Sequence, residues 1–568
     1  MKQKLINGFL ISYFISVCII KANSGSVFGK NGMIVSTTKQ ASKAGIEILK
    51  KGGNAIDATV AVGFALAVTS PGNGNIGGGG FLIGKLSGGE IFSLDFREKA
   101  PQSAYRELFQ DKTGNIISNM SLKSHASSGV PGSVHGLLTL LKDYGSGHLT
   151  RAEIMEPAIN LAKNGFILSN EEAIKLNHDK ESTFINQAAR KIFYNKKRGY
   201  WKAGDRLTQT DLSKTLKKIS KYGIDGFYKG SVANLIIKEM KKGNGLISMN
   251  DLINYSSKYR PPVIGEYKEY EIISMGPPSS GGVLLINMLN MLENYDLKSM
   301  GWNTSEYIHI LTEVERRAYA DRSVHMGDPD FWNVPINILT SKTYAKNRIS
   351  DIRLDKKTPS SSISASNILG FNEPPETTHF SVIDKWGNAI SVTTTLNLTY
   401  GSGIVVEGAG FLLNNEMDDF VSRPGVPNYY GLIGNEANAI EPNKRPLSSM
   451  TPTIVMKNNQ AYMILGSPGG STIITSVMQV LLNSLVFDMD INKAISSPRF
   501  HSQWLPDIIE YEPGKFSKNI IKSLEDKGHR LFHYRKGPYP GEVNGIMVKE
   551  SGYFGTGDIR FINSATGY

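Results

Sequence analysis

The apolar positions follow helical spacing in the first part of the chain. Residues 41–68 predict two helices around a turn at 51–54, and the second, AIDATVAVGFALAV, is apolar on every side, which indicates a buried helix. The glycine-rich stretch PGNGNIGGGGFLIGKL then leads into a strand, and residues 91–96 predict another. Residues 151–344 alternate amphipathic helical segments with short loops.

The pattern changes at residue 377. Just before it, residues 358–366 (TPSSSISAS) are rich in serine and poor in apolar residues, which predicts a flexible connector. After it, HFSVI, AISVTTTL, TIVMK and AYMILG read as strands, and helical spacing returns at 472–487 and 519–527. Strands and helices mixed in this way predict an α/β layered domain.

Two of these strands form a hairpin that suggests chemistry. HFSVI and AISVTTTL flank a turn at 384–388, and pairing about Trp386 places Thr377 opposite Thr395, with Cβ atoms about 5 Å apart. If the chain is cut between Glu376 and Thr377, the new α-amine has a pKa of roughly 7.7–8.0 and can act as general base for the hydroxyl of its own residue. A plain hairpin of β-branched threonines is the alternative.

Other polar groups fit acyl transfer to a small zwitterion. Gly469-Gly470 follows a strand and could point two backbone N–H groups at an oxyanion, or could simply form a loop before a helix. Arg97, Ser448 and Ser449 suit a carboxylate, and the acids at 414–419 suit an ammonium group. A metal or a solvated turn is the alternative for the acids, although no histidine accompanies them. The glycines at 77–80 lack the Lys-Ser/Thr of a phosphate loop, which favours a structural turn.

Composition narrows the class of protein. The chain has 568 residues, enough for two or three domains, and a formal net charge of +12. The lysines are dispersed and no basic tract is interleaved with aromatic residues, so nucleic acid is not predicted as a partner. Cys18 is the sole cysteine, which excludes disulfides and thiolate chemistry in a mature chain that begins after it.

The first 24 residues have the plan of a secretory signal. Lys2 and Lys4 precede an apolar run from 5 to 20, and Ala22-Asn23-Ser24 follows it, so cleavage after Ser24 is expected. We therefore expect an exported protein, most simply a periplasmic one. An uncleaved anchor, lipidation at Cys18 and full secretion are the alternatives.

A series of motifs resembles the γ-glutamyltranspeptidase (glutathione hydrolase) family. DFREKAP, IGGGGF, GPPSSGG, AYADRS, ETTHFSV, LLNNEMDDF, PNKRPLSSMTPTI, GSPGGS and PRFHSQWLPD occur in the family's order between residues 33 and 568. The resemblance implies an α+β fold, the four-layer αββα sandwich of N-terminal-nucleophile hydrolases, shared by two autoprocessed chains. These would be a large chain, 25–376, ending at Glu376, and a small chain, 377–568, beginning at Thr377; the two would remain associated as a heterodimer.

The resemblance also implies residue roles. Thr377 would be the processing residue and nucleophile, Thr395 would bond to its hydroxyl, and Gly469 and Gly470 would form the oxyanion hole. The binding residues would be Arg97, Ser448 and Ser449 for the α-carboxylate, Asn397, Glu416 and Asp419 for the α-amine, and Tyr430 in a lid at 424–434. Arg560 matches a C-terminal arginine of the family without an assigned role.

The implied activity is transfer of a γ-glutamyl group from glutathione or a related donor to water, an amino acid or a dipeptide, with no metal or organic cofactor. Three alternatives remain at this point. They are a β-lactam or glutaryl acylase on the same fold, an exported γ-glutamyl-binding protein that no longer cleaves, and a basic surface-adhesion protein.

Overall fold

The computed structural model describes residues 25–363, 377–534 and 541–568. The predicted signal segment and Glu376 lie outside the described residues. The strands are β1 (Val27–Gly29), β2 (Gly32–Ser36), β3 (Gly79–Lys85), β4 (Ile91–Asp95), β5 (Phe166–Ile167), β6 (Arg206–Leu207), β7 (Lys258–Arg260), β8 (Val263–Tyr267), β9 (Tyr270–Ser274), β10 (Thr378–Asp384), β11 (Ala389–Thr395), β12 (Thr453–Lys457), β13 (Gln460–Gly466), β14 (Phe500–His501), β15 (Ile509–Tyr511), β16 (Leu531–His533), β17 (Asn544–Lys549), β18 (Gly552–Gly557) and β19 (Ser564–Gly567).

The helices lie mostly before residue 350. They are α1 (Lys39–Lys50), α2 (Ala55–Thr69), α3 (Met120–Lys123), α4 (Ser133–Tyr144), α5 (Arg151–Asn164), α6 (Asn170–Asn177), α7 (Lys180–Thr183), α8 (Gln187–Phe193), α9 (Thr210–Tyr222), α10 (Asp225–Tyr228), α11 (Gly230–Lys242), α12 (Met249–Ile253), α13 (Gly281–Leu292), α14 (Leu297–Met300), α15 (Ser305–His325), α16 (Ile336–Leu339), α17 (Lys342–Arg348), α18 (Thr472–Leu485), α19 (Ile491–Ser496) and α20 (Lys518–Asp526). Short 3-10 turns are at His125–Ser127, Ser360–Ser362, Glu416–Asp419 and Glu436–Asn438.

Two seven-stranded sheets form the centre of the molecule. Sheet I has the order β19-β2-β10-β11-β3-β4-β7, and sheet II has the order β1-β18-β17-β13-β12-β9-β8. Neighbouring strands within each sheet are antiparallel. Alternate side chains of a strand point to opposite faces, so each sheet can be buried on both sides.

The alternation of side chains divides the core into layers. Met33 and Val35 of β2 and Phe81 of β3 point into the space between the sheets, where they meet Ile454 and Ile464 of sheet II. The opposite face of sheet I packs against a cluster that includes α1, α2, α4 and α5. Helices α13, α15, α18 and α19 belong to the cluster on the outer face of sheet II. The order of layers is therefore αββα, as predicted.

Segments from before and after residue 377 interleave in both sheets. In sheet I, β10 and β11 lie between β2 and β3, and in sheet II, β12 pairs with both β13 and β9. Each segment therefore supplies strands that complete the hydrogen bonding of the other. A cut between them would leave two fragments sharing both sheets and the core between them.

The predicted helices at 41–68 are confirmed as α1 and α2. Asn54 caps α2 by accepting from Ile56 N and Asp57 N, both at 3.0 Å, while the Asp57 carboxylate accepts from Asn54 N at 3.0 Å. Such a capping box fixes the helix start immediately after the predicted turn. Every residue of α2 is buried, which agrees with its uniformly apolar sequence.

Two expectations need correction. The helical reading of 151–344 is wrong for β7, β8 and β9. In β8 and β9 an exposed glutamate lies among buried apolar residues, whereas β7 (KYR) is exposed or half-buried throughout. The predicted flexible connector at 358–366 is bonded at its start: Thr358 O accepts from Arg316 at 2.8 Å, and its hydroxyl accepts from Arg317 at 3.1 Å. Residues 364–366 lie outside the described residues. Within the described ranges, no helix combines the length and apolar composition needed to cross a bilayer.

Candidate active site

The β10–β11 hairpin places the two threonines predicted to work together. Thr378 pairs with Thr394, and the register runs without interruption to Ile383 and Ala389 at the turn. The predicted register is therefore confirmed from Thr378 and Thr394 to the turn, and the same register continued by one residue sets Thr377 opposite Thr395. Gly387 supplies the positive φ of 85° that the turn requires.

Two asparagines from the loop after α2 hold the two strands at the open end of the hairpin. Asn73 Nδ2 donates to the main-chain oxygen of Thr377 at 3.0 Å, and Asn75 Nδ2 donates to that of Thr395 at 2.8 Å. The main-chain N–H of Asn397 donates to Thr395 Oγ1 at 2.8 Å. The positions of the two threonines therefore depend on residues about 300 positions earlier in the chain as well as on their own hairpin.

A small polar cavity opens beside this hairpin. It is lined by Arg97, Arg322, Thr377, Thr395, Asn397, Glu416, Asp419, Tyr430, Leu432, Ser448, Ser449, Met450, Gly470 and Ile473. Among the described residues predicted for the site, Gly469 alone is missing from this lining, and it directly precedes Gly470. The structure thus brings the predicted residues to one place from seven separate stretches of sequence.

Gly469 and Gly470 form the link between β13 and α18. Their φ angles are 144° and 51°, in the region that favours glycine. Their carbonyls accept from Thr472 N at 3.0 Å and Ile473 N at 3.3 Å, which turns the peptide units toward the start of the helix. No described residue accepts a hydrogen bond from either glycine N–H. Such free N–H groups can bind a developing negative charge.

Arg97 is the centre of a buried ion cluster. It follows β4, its side chain is fully buried, and it pairs with Glu416 through Nη1 and with Asp419 through Nη2, the latter at 2.5 Å. Arg97 Nε also donates to Pro446 O at 3.2 Å. Burial lowers the pKa of Arg97, but the charges of Glu416 and Asp419 outweigh this and raise it. The guanidinium therefore remains charged.

The acids beside Arg97 are strongly influenced by burial. Burial raises the pKa of Glu416 well above its usual range, although the charge of Arg97 opposes this. Burial likewise raises the pKa of Glu98 to about 7 against the opposing charge of Arg97. A carboxyl group with a raised pKa can hold a proton near neutral pH, so the net charge of the cluster depends on pH.

The two serines lie on a segment that runs beside the start of α13. Ser448 O accepts from the amide and the hydroxyl of Ser280, each at 2.8 Å. Ser448 N donates to Pro278 O at 2.9 Å, and Ser449 Oγ accepts from Arg322 Nη2 at 3.3 Å. These contacts fix the serine pair against the large helical segment that precedes residue 377.

The predicted lid segment covers part of the cavity. Tyr430 OH donates to Asn397 O at 2.8 Å, and Gln503 Nε2 donates to Tyr430 O at 3.1 Å. Asn428 accepts from the amides of Tyr430 and Leu432 at 3.0 and 3.2 Å, which makes a tight local turn. The segment is therefore tied to both the cavity wall and its own backbone.

Two other sequence expectations are resolved by packing. The glycines at 77–80 have a structural role, but only Gly77 and Gly78 lie in a bend, while Gly79 and Gly80 begin β3. A Cβ on Gly77 would be 2.0 Å from Leu412 O, so the backbone fits only without a side chain. Arg560 pairs with Glu512 at 2.8 Å and Asp558 at 2.9 Å, and it donates to Ser497 O beyond α19 at 2.8 Å. Arg560 therefore ties the C-terminal region to α19.

One group of side chains away from the cavity has metal-ligand types. His309, Glu313 and His529 lie close together and are buried. However, His309 Nδ1 is hydrogen-bonded to His529 Nε2 at 2.7 Å, and Glu313 already pairs with Arg316 at 2.6 Å and Arg317 at 2.7 Å. Two adjacent guanidinium groups oppose a cation, so this cluster reads as a buried ion-pair network.

Four residues of the site were missed by the sequence reasoning. They are Asn73, Asn75, Glu98 and Arg322. Glu98 stood next to the predicted Arg97, and Arg322 stood within the AYADRS motif, so those two had a signal in the sequence. The asparagines had none beyond their place in a glycine-rich loop.

Sequence comparison places the chain among known proteins. A family model described as Gamma-glutamyltranspeptidase matches residues 41–568. The glutathione hydrolase proenzyme of Escherichia coli (strain K12) is 45% identical over 541 residues, covering 95% of this chain and 92% of that protein. The glutathione hydrolase proenzyme of Bacillus subtilis (strain 168) is 37% identical over 520 residues, covering 89% of this chain and 86% of that protein.

Solved structures agree. Helicobacter pylori gamma-glutamyltranspeptidase matches with a TM-score of 0.57 and 46% identity, covering 60% of this chain and 96% of that chain. A cephalosporin acylase from Bacillus halodurans matches with a TM-score of 0.82 over 96% of this chain and 97% of that chain; at 24% identity it shows the fold alone. These neighbours confirm the N-terminal-nucleophile hydrolase fold, and the family match establishes that the chain belongs to the gamma-glutamyltranspeptidase family.

Proposed function

We propose that the protein is an autoprocessed γ-glutamyl transferase and hydrolase. The precursor would be cut between Glu376 and Thr377, giving a large chain, 25–376, and a small chain, 377–568. The interleaved strands of both sheets support a heterodimer that stays associated after the cut. The new α-amine of Thr377 would then act as general base for the Thr377 hydroxyl.

The catalytic cycle is a two-step acyl transfer. Thr377 Oγ attacks the γ-glutamyl carbonyl, its proton passes to the α-amine, and the N–H groups of Gly469 and Gly470 stabilise the oxyanion. The amine of the leaving group takes up that proton as the C–N bond breaks, which leaves a γ-glutamyl ester on Thr377. Water, an amino acid or a dipeptide then attacks the ester and releases Thr377. Thr395 orients the nucleophile.

Recognition of the donor's α-amine is supported by unused acceptors in the cavity wall. Asn397 Oδ1 and Glu416 Oε2 are buried and have no hydrogen-bond donor among the described residues. Buried polar atoms normally have partners, so these two suit an incoming ammonium group. Asp419 would complete the set, while Arg97, Ser448 and Ser449 would hold the α-carboxylate, and Tyr430 would close the pocket.

The observation that carries the proposal is the position of Thr377 and Thr395 on one cavity with Gly470, Arg97 and Glu416. An acylase for glutaryl side chains would not need acceptors for an α-amine, because a glutaryl group has none. The polar wall therefore favours a γ-glutamyl donor such as glutathione over a glutaryl-cephalosporin.

We further propose that the protein is exported, with residues 1–24 as its signal and the periplasm as its place of action. Secretion from the cell or retention by an anchor remain the alternatives. Fractionation of expressing cells, with sequencing of the first residue of the large chain, would decide among them. A start at residue 25 in the periplasmic fraction is the expected result.

The activity is tested by intact mass spectrometry followed by substrate assays. We expect two chains, one beginning Thr377-Thr378-His379, and turnover of glutathione and γ-glutamyl-p-nitroanilide without turnover of glutaryl-7-aminocephalosporanic acid. The reverse substrate preference would indicate an acylase. A stable uncut chain that binds γ-glutamyl compounds would indicate a binding protein, and salt-sensitive binding to anionic surfaces without turnover would indicate an adhesion protein.

A further inference from the structure

Arg322 is a buried cation on the wall of the proposed glutamyl cavity. It lies near the end of α15, its residue is only 6% exposed, and it lines the cavity together with Ser449 and Asp419. Arg322 Nε donates to Ser280 Oγ at 3.0 Å and Nη2 donates to Ser449 Oγ at 3.3 Å. Only two of the five N–H groups of the guanidinium thus meet a described acceptor.

Arg322 differs from the other buried arginines because no described carboxylate forms an ion pair with it. The fully buried arginines each have one, in the pairs Arg97–Glu416, Arg316–Glu313, Arg317–Glu313, Arg445–Asp95 and Arg499–Asp558. The acid next to Arg322 in sequence, Asp321, pairs instead with Arg348 at 3.0 Å. Buried charges are normally paired, so an unpaired one on a cavity wall suits an anionic ligand.

The charge of the cavity wall also supports binding of an anionic ligand at Arg322. Its charged lining residues are Arg97, Arg322, Glu416 and Asp419. Both acids pair with Arg97, so the Arg97 guanidinium is already shared between two carboxyl groups before a donor carboxylate arrives. Burial lowers the pKa of Arg322 to about 10 although the nearby charge of Asp419 opposes this, and the guanidinium stays protonated at neutral pH.

The contacts of Arg322 also determine what the serines can do. Ser449 Oγ accepts from Arg322, so its own O–H is directed elsewhere and can donate to a ligand. Ser280 Oγ accepts from Arg322 and donates to Ser448 O at 2.8 Å, which ties the neighbouring serine to the same guanidinium. Arg322 therefore both orients the serine pair and adds positive charge beside it.

We infer that Arg322 positions Ser449 for the α-carboxylate of the γ-glutamyl donor and supplies the second positive charge which that carboxylate requires. This inference rests on the proposed function, because it concerns the same donor. Arg97 on its own is already paired with two carboxyl groups, and Arg322 adds a positive charge that no described carboxylate pairs with. Arg322 acts on the affinity for the donor and not on the rate at which the donor's bond is broken.

The test compares Arg322→Gln and Arg322→Lys with the unchanged enzyme on two donors. One is γ-glutamyl-p-nitroanilide, and the other is its analogue in which the α-carboxylate is replaced by a carboxamide. We expect Arg322→Gln to raise KM for the first donor on the order of 10- to 100-fold, with kcat changed by less than about threefold, as for loss of a charged hydrogen bond. KM for the carboxamide should change by less than about twofold, since it has no charge to lose. Arg322→Lys should recover part of the affinity, because lysine keeps the charge but not the planar fork.

Controls separate this role from a structural one. Arg353→Gln changes an exposed arginine paired with Asp355 and should match the unchanged enzyme on both donors. Mass spectrometry of every variant reports maturation, and if Arg322→Gln does not mature, Arg322→Lys gives the comparison. Equal losses on both donors, or no loss on either, would overturn the inference. An unchanged enzyme that matures but turns over neither donor would instead overturn the proposed function, and the inference with it.

Discussion

Gly78 lies so close to Thr395 that a Cβ on the glycine would be 2.0 Å from the carbonyl oxygen of the threonine. The same stretch is fixed by Asn75, whose Oδ1 accepts from Gly78 N at 2.9 Å and whose Nδ2 donates to Thr395 O at 2.8 Å. The glycine run therefore acts through close packing of backbone on backbone. It sets where β11 ends and so where Thr395 lies.

Gly78→Ala is expected to damage maturation and activity together. The added methyl group meets backbone that cannot move aside like a side chain, and overpacking of this kind costs about 1–3 kcal/mol or more. We expect slower appearance of the Thr377 chain, by about tenfold or more given that cost, and a lower unfolding temperature, measured by gel time course and calorimetry.

Gly88→Ala is the matched control for this change. A Cβ at Gly88 has no neighbour within 4 Å, so maturation and thermal stability should be those of the unchanged protein. If Gly78→Ala matured at the normal rate, the close approach of Gly78 to Thr395 would not control the hairpin.

Thr377→Ala removes the proposed nucleophile and is expected to give one uncut chain. Neither the cut nor the transfer can occur without that hydroxyl, so turnover should fall on the order of 10³-fold or more. Intact mass spectrometry reports the first effect and γ-glutamyl-p-nitroanilide the second. Thr377→Ser keeps a hydroxyl and should still mature. Two fragments from the alanine variant would assign the cut to another residue.

Asp419→Ala is expected to weaken donor binding while the chain still matures. Asp419 contacts Arg97 at 2.5 Å and Asn428 at 3.3 Å, both on the recognition side of the cavity. Loss of a charged hydrogen bond costs about 1.5–3 kcal/mol, or on the order of 10- to 100-fold in KM. Steady-state kinetics on the matured protein provide the measurement.

A second acid in the same part of the chain gives the comparison. Glu436 pairs with Arg106 at the surface, with about half of its side chain exposed, and exposed pairs contribute roughly 0–1 kcal/mol. Glu436→Ala should therefore leave KM nearly unchanged. Equal KM values for Asp419→Ala and the unchanged protein would remove Asp419 from the binding set.

The sequence predicts the hairpin and its threonine pair because both depend on local rules. Alternation fixes the strands, the Asp-to-Asn turn fixes the register, and together they place Thr377 opposite Thr395. Arg322 and Asn75 illustrate what local rules do not reach. Asn75 contacts Thr395 across 320 positions and Arg322 contacts Ser449 across 127, and no periodicity reports such contacts.

Strands β8 and β9 were missed for a related reason. Each has five residues, and β8 exposes Ile264 while burying Val263 and Tyr267, as expected at a sheet edge. Over so short a span, mixed charged and apolar residues fit a helix as well as a strand. β9 pairs with β12, which begins at residue 453, and β8 pairs with β9. This long-range pairing makes both segments strands of sheet II.

His379 should make the protein less stable in acid. Its ring is fully buried, with Nδ1 2.9 Å from Thr393 Oγ1 and Nε2 3.1 Å from Ser381 Oγ, and burial lowers its pKa to about 3. A histidine in the unfolded chain has a pKa of about 6.5. Between pH 6.5 and 3 the unfolded chain therefore binds a proton that the folded protein does not bind. The stability contributed by this difference is present above pH 6.5 and is lost as pH falls toward 3.

The measurement is the urea-unfolding free energy of the unchanged protein and of His379→Asn at pH 7, 6 and 5. Asparagine does not titrate, so the variant should be the less stable at pH 7 and its deficit should shrink below pH 6.5 by up to about 1.4 kcal/mol per pH unit. His178→Asn changes an exposed ring, three-quarters accessible, and should keep the pH dependence of the unchanged protein. A deficit for His379→Asn that stays constant from pH 7 to 5 would mean that His379 takes up its proton in the folded state as readily as in the unfolded one.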